Sequence, residues 1–304
     1  MNTNNNDTIK KLVTHNGSFH SDDIFATATL SIVLEKEGQK FEVIRTRDPE
    51  IIKTADFVYD VGGIYDEATN RFDHHQIGGA GKDENGIEYS SFGLVWKKFG
   101  AQISGNEKIA KAVRDRLVAP IDGPDNGQDI YTTNFENISP YTIQSYFFSV
   151  QPAWNEDDSK IDEVFLDCVK FAKIILMREV VIASGLFDAE EKVMSIYEKT
   201  EDKSILVLDN HYPFDAILYK IPEPMFIIYP RPDNTWGIRA VRKNPKSFEN
   251  RKDFPKTWGG LRDEEELKKL TGVDDAVFCH RALFLAVAKS QAGAIKLAQI
   301  ALQS

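Results

Sequence analysis

Strand-like and helix-like runs alternate through the N-terminal part of the chain, and this alternation restricts the fold more than any other feature. "KLVTH" (11–15) leads into a helix pattern from about Asp23 to Gly38, "FEVIRT" (41–46) follows, and "FVYDVGG" (57–63) comes next. Strand, helix and strand with short joints predict a parallel α/β sheet, because parallel neighbours need a crossover connection. The polar turn of "YDEATNRF" predicts a small hairpin. Helices are predicted over "SSFGLVWKKFG" and "NEKIAKAVRDRLVAP", the second stopped by Pro120 and the turn-rich "IDGPDNGQ". Residues 160–199 carry apolar side chains at three- and four-residue spacing and predict long helices linking two domains. After Asp202 come the β runs "SILVLD", "FDAILYK", "MFIIYP" and "TWGIRAVR", then two helices flanking "AVFCH". The expected division is residues 1–200 and a smaller α+β domain of residues 201–304, and a 304-residue chain has room for two cores and a cleft.

Charge limits the partners. With 37 Lys+Arg against 47 Asp+Glu the net charge is −10, so long-range attraction cannot hold a polyanion, and a phosphate-bearing ligand needs a local basic patch or bound cations. The two cysteines, Cys168 and Cys279, are far apart in sequence and in no CxxC arrangement, which argues against a disulfide framework or thiolate zinc site and fits a reducing, cytoplasmic setting. The start, "MNTNNNDTIKKLV", lacks the regions of a signal peptide and reads as a short polar leader. No apolar run reaches spanning length, so no membrane partner is expected.

The histidines and aspartates sit where such a sheet collects ligands. "THNGSFHSDD" puts His15 at the end of the first strand and His20, Asp22 and Asp23 in the loop that opens a helix. An N-cap role explains Ser21 or Asp22, but not two histidines within six residues. Asp60 ends the third β run before two glycines; alone it reads equally well as a turn residue. In the extended "DHH" at 73–75, neighbouring side chains face opposite ways, so one histidine can ligate an ion while the other faces substrate. Asp122 and Asp125 lie in "APIDGPDNG", where plain turn chemistry is the stronger single explanation. Together, His15, Asp22, Asp60, His74 and one of Asp122 or Asp125 form an imidazole and carboxylate set without thiolate. That set suits Mn²⁺ first, by its carboxylate share, with Mg²⁺ or Zn²⁺ as alternatives. A bridging carboxylate can hold two such ions about 3.5–4 Å apart.

At these residues the sequence resembles the DHH phosphoesterase superfamily, and within it the MYG family. "THNGSFHSDD", "VYDVGGIYDEATNRFDHHQ", "SSFGLVWKKFG", "IDGPDNG", "WGIRAVRKNPKSFENR" and "GVDDAVFCH" carry the likeness in order along almost the whole chain. The resemblance implies a DHH-type parallel sheet domain flanked by helices, a smaller C-terminal domain, and an active site in the cleft between them. It also implies a two-metal phosphoesterase, since eukaryotic MYG proteins are described as 3′→5′ RNA exonucleases. It assigns His15 and Asp22 to the first metal motif, with His20 and Asp23 left open. Asp60 becomes the bridging, catalytic ligand, His74 the ligand of the second ion, and His75 the contact to the scissile phosphate, with Asp122 or Asp125 closing the site. In the C-terminal domain Arg239, Arg262, His280 and Arg281 are candidates for gripping a phosphate, for which the arginine fork is suited. Singly, each reads more readily as a surface charge, and Asp263 with Glu266 reads as a capping box.

Two departures from the family stand out. "FHSDD" replaces "FHCDE", and "RALFLAVAKS" replaces a glycine-bearing "FIGG" segment, so Ala286 and Val287 are expected to narrow or remove a backbone contact with substrate. The expected substrate is RNA or a short oligonucleotide. The alternatives are a small phosphorylated molecule, such as pyrophosphate or a nucleotide, and a metal-stabilised binding protein without catalysis. Self-association is left open.

Overall fold

Leu12 and Val13 are fully buried, and β1 (Lys10–Thr14) accordingly takes the interior of the first sheet. The computed structural model describes residues 8–244, 247–262 and 264–304; the predicted leader over residues 1–7 and Asp263 of the predicted capping box lie outside them. After β1 come α1 (Ser21–Lys36), β2 (Phe41–Arg45), α2 (Pro49–Thr54), β3 (Phe57–Tyr59), β4 (Tyr65–Asp66) and β5 (Arg71–Phe72). The strand order is β2-β1-β3-β5-β4. β1 runs parallel to β2 and β3, and β3 runs parallel to β5; the predicted hairpin supplies the antiparallel β4. The registers Val13↔Val58 and Tyr59↔Phe72 have a direct consequence. Continued past the strand ends, they set His15, Asp60 and Asp73 side by side along one sheet edge.

α1 is buried from Ser21 through Leu34, so it is enclosed on every side rather than amphipathic. α3 (Ser91–Ser104) packs along it, and Phe25, Phe92, Trp96, Phe147 and Phe165 join one core. The helix predicted to stop at Pro120 continues. α4 (Glu107–Val113) passes through a turn of π-helical winding at Arg114–Val118 into α5 (Ala119–Asp125). Wider winding accommodates a proline ring and its missing N–H, which an unbroken α-helix would not. Asp122 and Asp125 therefore stand on a helix instead of in a turn. α6 (Ile143–Ser149) and α7 (Ile161–Lys199) follow; α7 is one helix of 39 residues where several were expected. The chain divides into two units at Ser184/Gly185, inside α7 and not at its end.

The second unit adds β6 (Ile205–Val207), α8 (Asp215–Leu218), β7 (Phe226–Pro230), β8 (Trp236–Ala240), α9 (Glu264–Thr271), β9 (Ala276–Cys279), β10 (Leu285–Ala288) and α10 (Gln291–Gln303). Its strand order is β6-β7-β8-β10-β9, with β6 and β7 parallel and the other pairs antiparallel. Leu267 of α9 and Leu297 of α10 pack with Phe226, Ile228 and Ile238, while Leu206, Ile227 and Tyr229 pack with Ala189 and Val193. "FDAILYK", expected as a strand, forms α8. Phe214, Ile217, Leu218 and Ile221 are all buried, and their spacing is that of a helix face. Ala286 and Val287 are interior residues of β10, buried between β8 and β9.

Candidate metal centre

Asp60 lies at the middle of the first unit's sheet edge. It follows β3 with φ at 54°, a left-handed conformation that costs a non-glycine residue about 1 kcal/mol or more. Its Oδ2 lies 3.1 Å from His15 Nε2, and its Oδ1 lies 3.3 Å from His74 Nε2 and 3.5 Å from His75 Nδ1. One carboxylate thus faces three imidazoles. Asp23 Oδ2 approaches His15 Nε2 at 3.4 Å, while Asp23 Oδ1 accepts from the His20 N–H and fastens the start of α1. The N-cap is His20, not Ser21 or Asp22. Asp125 places Oδ2 3.3 Å from His74 Nε2 and Oδ1 3.7 Å from His20 Nδ1, and Asp22 Oδ2 is 3.9 Å from His74 Nε2.

Neighbouring groups aim these rings. Asn126 donates through Nδ2 to the Glu88 and Asp122 carbonyls, which fixes its Oδ1 as acceptor for His74 Nδ1–H at 3.0 Å. His74 Nε2 is left for the cluster, the arrangement by which an outer partner sets a ligand's tautomer. His15 donates Nδ1–H to the Asn16 carbonyl at 3.1 Å with the same result. Asp73 accepts from His75 Nδ1 at 2.8 Å, from the His75 N–H and from the Gly63 N–H. The His75 side chain is 63% exposed and borders a cavity of about 500 Å³ shared with His15, Asp60 and the exposed Arg47.

Burial drives the electrostatics. It raises Asp22, and the charge of Asp60 adds to that rise; burial, Asp22 and Asp60 together hold Asp23 well above the carboxylate range. Burial, then the charges of Asp22 and Asp60, push Asp125 up to about 9. Asp60 goes the other way, since the His15 and His74 imidazoles that face it outweigh its burial. Burial alone would lower His74, yet the close approach of Asp60 and the charges of Asp22, Asp60 and Asp125 raise it to about 9. His15 is likewise raised by Asp60 against its burial, and His75 is raised by its bond to Asp73. Several carboxylates repel one another here, and protons relieve the repulsion where no cation does.

The residues present fit divalent ions. Asp22 Oδ1, Asp23 Oδ2, Asp60 Oδ1 and His74 Nε2 are buried with no hydrogen-bond partner among the described residues, an arrangement that costs free energy unless something binds them. Among the described residues three trios bring possible ligand atoms within 4.8 Å of one another: His15, Asp23 and Asp60; Asp60, His74 and His75; and His20, Asp22 and Asp125. Asp60 belongs to two of them. Asp122 belongs to none: its carboxylate accepts from Ser90 Oγ, the Gly93 N–H and Arg114. A Cβ on Gly93 would stand 2.0 Å from Asp122 Oδ2, so glycine there makes room for that carboxylate. Sequence reasoning did not single out Arg47 or Asn126. Arg47 follows β2, the neighbour of β1, at the sheet edge that carries His15, and that position was readable.

In the second unit, the register sets Arg239 opposite Leu285, whose carbonyl accepts from the His280 N–H. Arg239 pairs with Asp215 at 3.1 Å and lies over the Phe214 ring. Arg262 lies over Phe278, and Arg262 and Arg281 are exposed. His280 Nδ1 accepts from the Ala282 N–H. No helix among the described residues is long and apolar enough to cross a membrane.

Known proteins resemble the chain from end to end. The MYG1 protein of Schizosaccharomyces pombe is 28% identical over 96% of this chain and 97% of its own length. The MYG1 protein of Saccharomyces cerevisiae is 30% identical over 96% of each. The human MYG1 exonuclease is 27% identical over 96% of this chain and 85% of its own. The model of the MYG1 exonuclease family, described as "Uncharacterised protein family (UPF0160)", matches residues 11–302, and the chain belongs to that family.

Proposed function

We propose that this protein is a metal-dependent phosphoesterase that cleaves phosphodiester bonds of RNA or short oligonucleotides from an end. The observation that carries the reading is Asp60, one buried carboxylate facing His15 on one side and His74 and His75 on the other. The name exonuclease on mammalian relatives supports it. His15, Asp23 and Asp60 would hold one divalent ion, and Asp60, Asp22, His74 and Asp125 a second, with Mn²⁺ the first choice for such donors. When bound, such ions supply a water acidic enough to attack phosphorus and positive charge for the phosphoryl oxygens. His75, held by Asp73 and raised above its ordinary pKa, keeps a proton to donate to a phosphoryl oxygen. Arg47 holds a second phosphate oxygen at the rim. Arg262, Arg281 and His280 are the second unit's contribution to substrate affinity.

Elemental analysis of protein purified without chelator, paired with hydrolysis of a short RNA in Mn²⁺, tests this. About two ions per chain and cleavage abolished by chelation are expected. Bound metal without turnover of any phosphoester would leave a binding protein instead. The net charge of −10 favours a second reading, in which the substrate is a small phosphorylated molecule. Faster cleavage of dinucleotides than of long RNA would select it.

A further inference from the structure

We propose that an apolar cavity beside the metal centre, about 470 Å³ in volume, seats the base of a nucleotide whose phosphate lies at the metal cluster. The orientation rests on the phosphoesterase reading, which puts the phosphate at the cluster. The volume is in the range of about 300–1,000 Å³ usual for small-molecule sites. Its connection to the cluster is direct. His20 and Asp125 line the cavity and also form a ligand trio with Asp22, and His20 borders the opening shared by His75 and Arg47 as well. The His20 and Phe148 rings meet edge to face with centroids 5.7 Å apart, joining the ligand set to the cavity wall.

The walls select for a flat, uncharged group. Leu117, Pro120, Ile130, Tyr131 and Phe148 supply an apolar lining with two aromatic rings, 44% and 50% exposed. Arg116, the cation on this wall, is already paired with Glu179. A phosphate there would meet apolar walls and Asp125, so the cavity does not extend an anion site. One polar feature narrows the choice further. Gln144 Oε1 accepts from both the Ser21 N–H and Ser21 Oγ, and because a backbone N–H only donates, the amide orientation is fixed. Gln144 Nε2 is thereby a donor, and it is buried without a partner among the described residues. A nucleobase offers faces for Tyr131 and Phe148 and edge acceptors for that donor. Pyrophosphate would leave the cavity empty, and an acyl chain would leave Gln144 unpaired.

The test is calorimetric titration of the full chain in Mn²⁺ with adenosine 5′-monophosphate and with ribose 5-phosphate, for wild type, Tyr131→Ala and Phe148→Ala. Both side chains are about half exposed, so truncation does not open a core. Wild type is expected to prefer the nucleotide by about 5- to 100-fold, the usual range for stacking one base, with the ratio falling toward one in both variants. Equal affinity for the two ligands, no nucleotide binding, or a preference that survives both substitutions would overturn the proposal. Equal affinity alongside phosphodiester cleavage would leave the phosphoesterase reading standing. A nucleotide preference lost in both variants of a protein that cleaves nothing would keep the base site and reject the phosphoesterase.

Discussion

In the first unit the interior encloses Asp22, Asp23, Asp60, Asp73, Asp122, His15 and His74, while in the second unit Thr271 is the one buried polar side chain among the described residues. Charge taken out of water costs several kcal/mol per ion unless it is paired, so these two interiors do different things for the fold. The second unit's sheet is stabilised by ordinary apolar packing on both faces. The first unit needs its aromatic core around Phe25, Phe92 and Phe165 to offset a cluster that, without cations, is held by shared protons. Charges destined to bind something have been concentrated in one unit, and stability has been left to the other residues.

The largest expected effect breaks this contrast at Arg114, which donates to Asp83 at 2.8 Å and to Asp122 at 2.6 Å. Arg114→Met leaves Asp122 buried without its counter-charge and should cost the first unit about 3–5 kcal/mol in urea unfolding. Adding Asp122→Asn should restore most of that, because the neutral amide removes the unpaired buried charge while its oxygen still accepts from Ser90 and the Gly93 N–H. No recovery in the double variant would mean the pair is not what holds α5.

Next is Asp125→Asn. Burial and neighbouring carboxylates hold Asp125 at about 9, so without metal it is protonated at neutral pH, and asparagine copies that neutral form. Melting in chelator should be unchanged, while any stabilisation by added Mn²⁺ is lost and any metal-dependent cleavage falls at least about 100-fold. A drop in metal-free stability of the size seen for Arg114→Met would place Asp125 with the structural pairs. Asn126→Ala is smaller again. It frees the His74 ring without touching a ligand atom and should weaken Mn²⁺ binding by about 10- to 100-fold in calorimetry.

The sheet of the first unit was legible because strand ends carry their own signals. "KLVTH", "YDVGG" and "DHH" each finish a β run with a ligand-type residue, and parallel pairing brings such ends to one edge. The choice between Asp122 and Asp125 was not legible. Both lie on α5, and what separates them is the packing of α3, where Gly93 and Ser90 claim Asp122 and leave Asp125 to the cluster. That information is tertiary. The two prolines hid α5 itself, because a π-wound turn is a response to proline that propensity does not anticipate. "FDAILYK" shows the opposite failure. Its helical spacing was in the sequence, at 214, 217, 218 and 221, and the β-rich neighbourhood obscured it.

The smallest expected effect sharpens the comparison from the second unit's side. Arg262 and Arg281 are exposed, so neither belongs to the buried interior that distinguishes the two units. Replacing both with alanine should leave unfolding within about 0.5 kcal/mol of wild type, as for surface positions in general. Arg262 also stacks over Phe278, which adds only a modest exposed cation–π contact to be lost. If these side chains serve substrate affinity, KM for an oligonucleotide should rise several-fold with kcat nearly constant, the signature of binding that is equal in ground and transition states. A fall in kcat instead would assign the second unit a part in the chemical step. An unchanged KM would leave substrate recognition with Arg47 and the first unit, making the division between the two interiors a division of function as well.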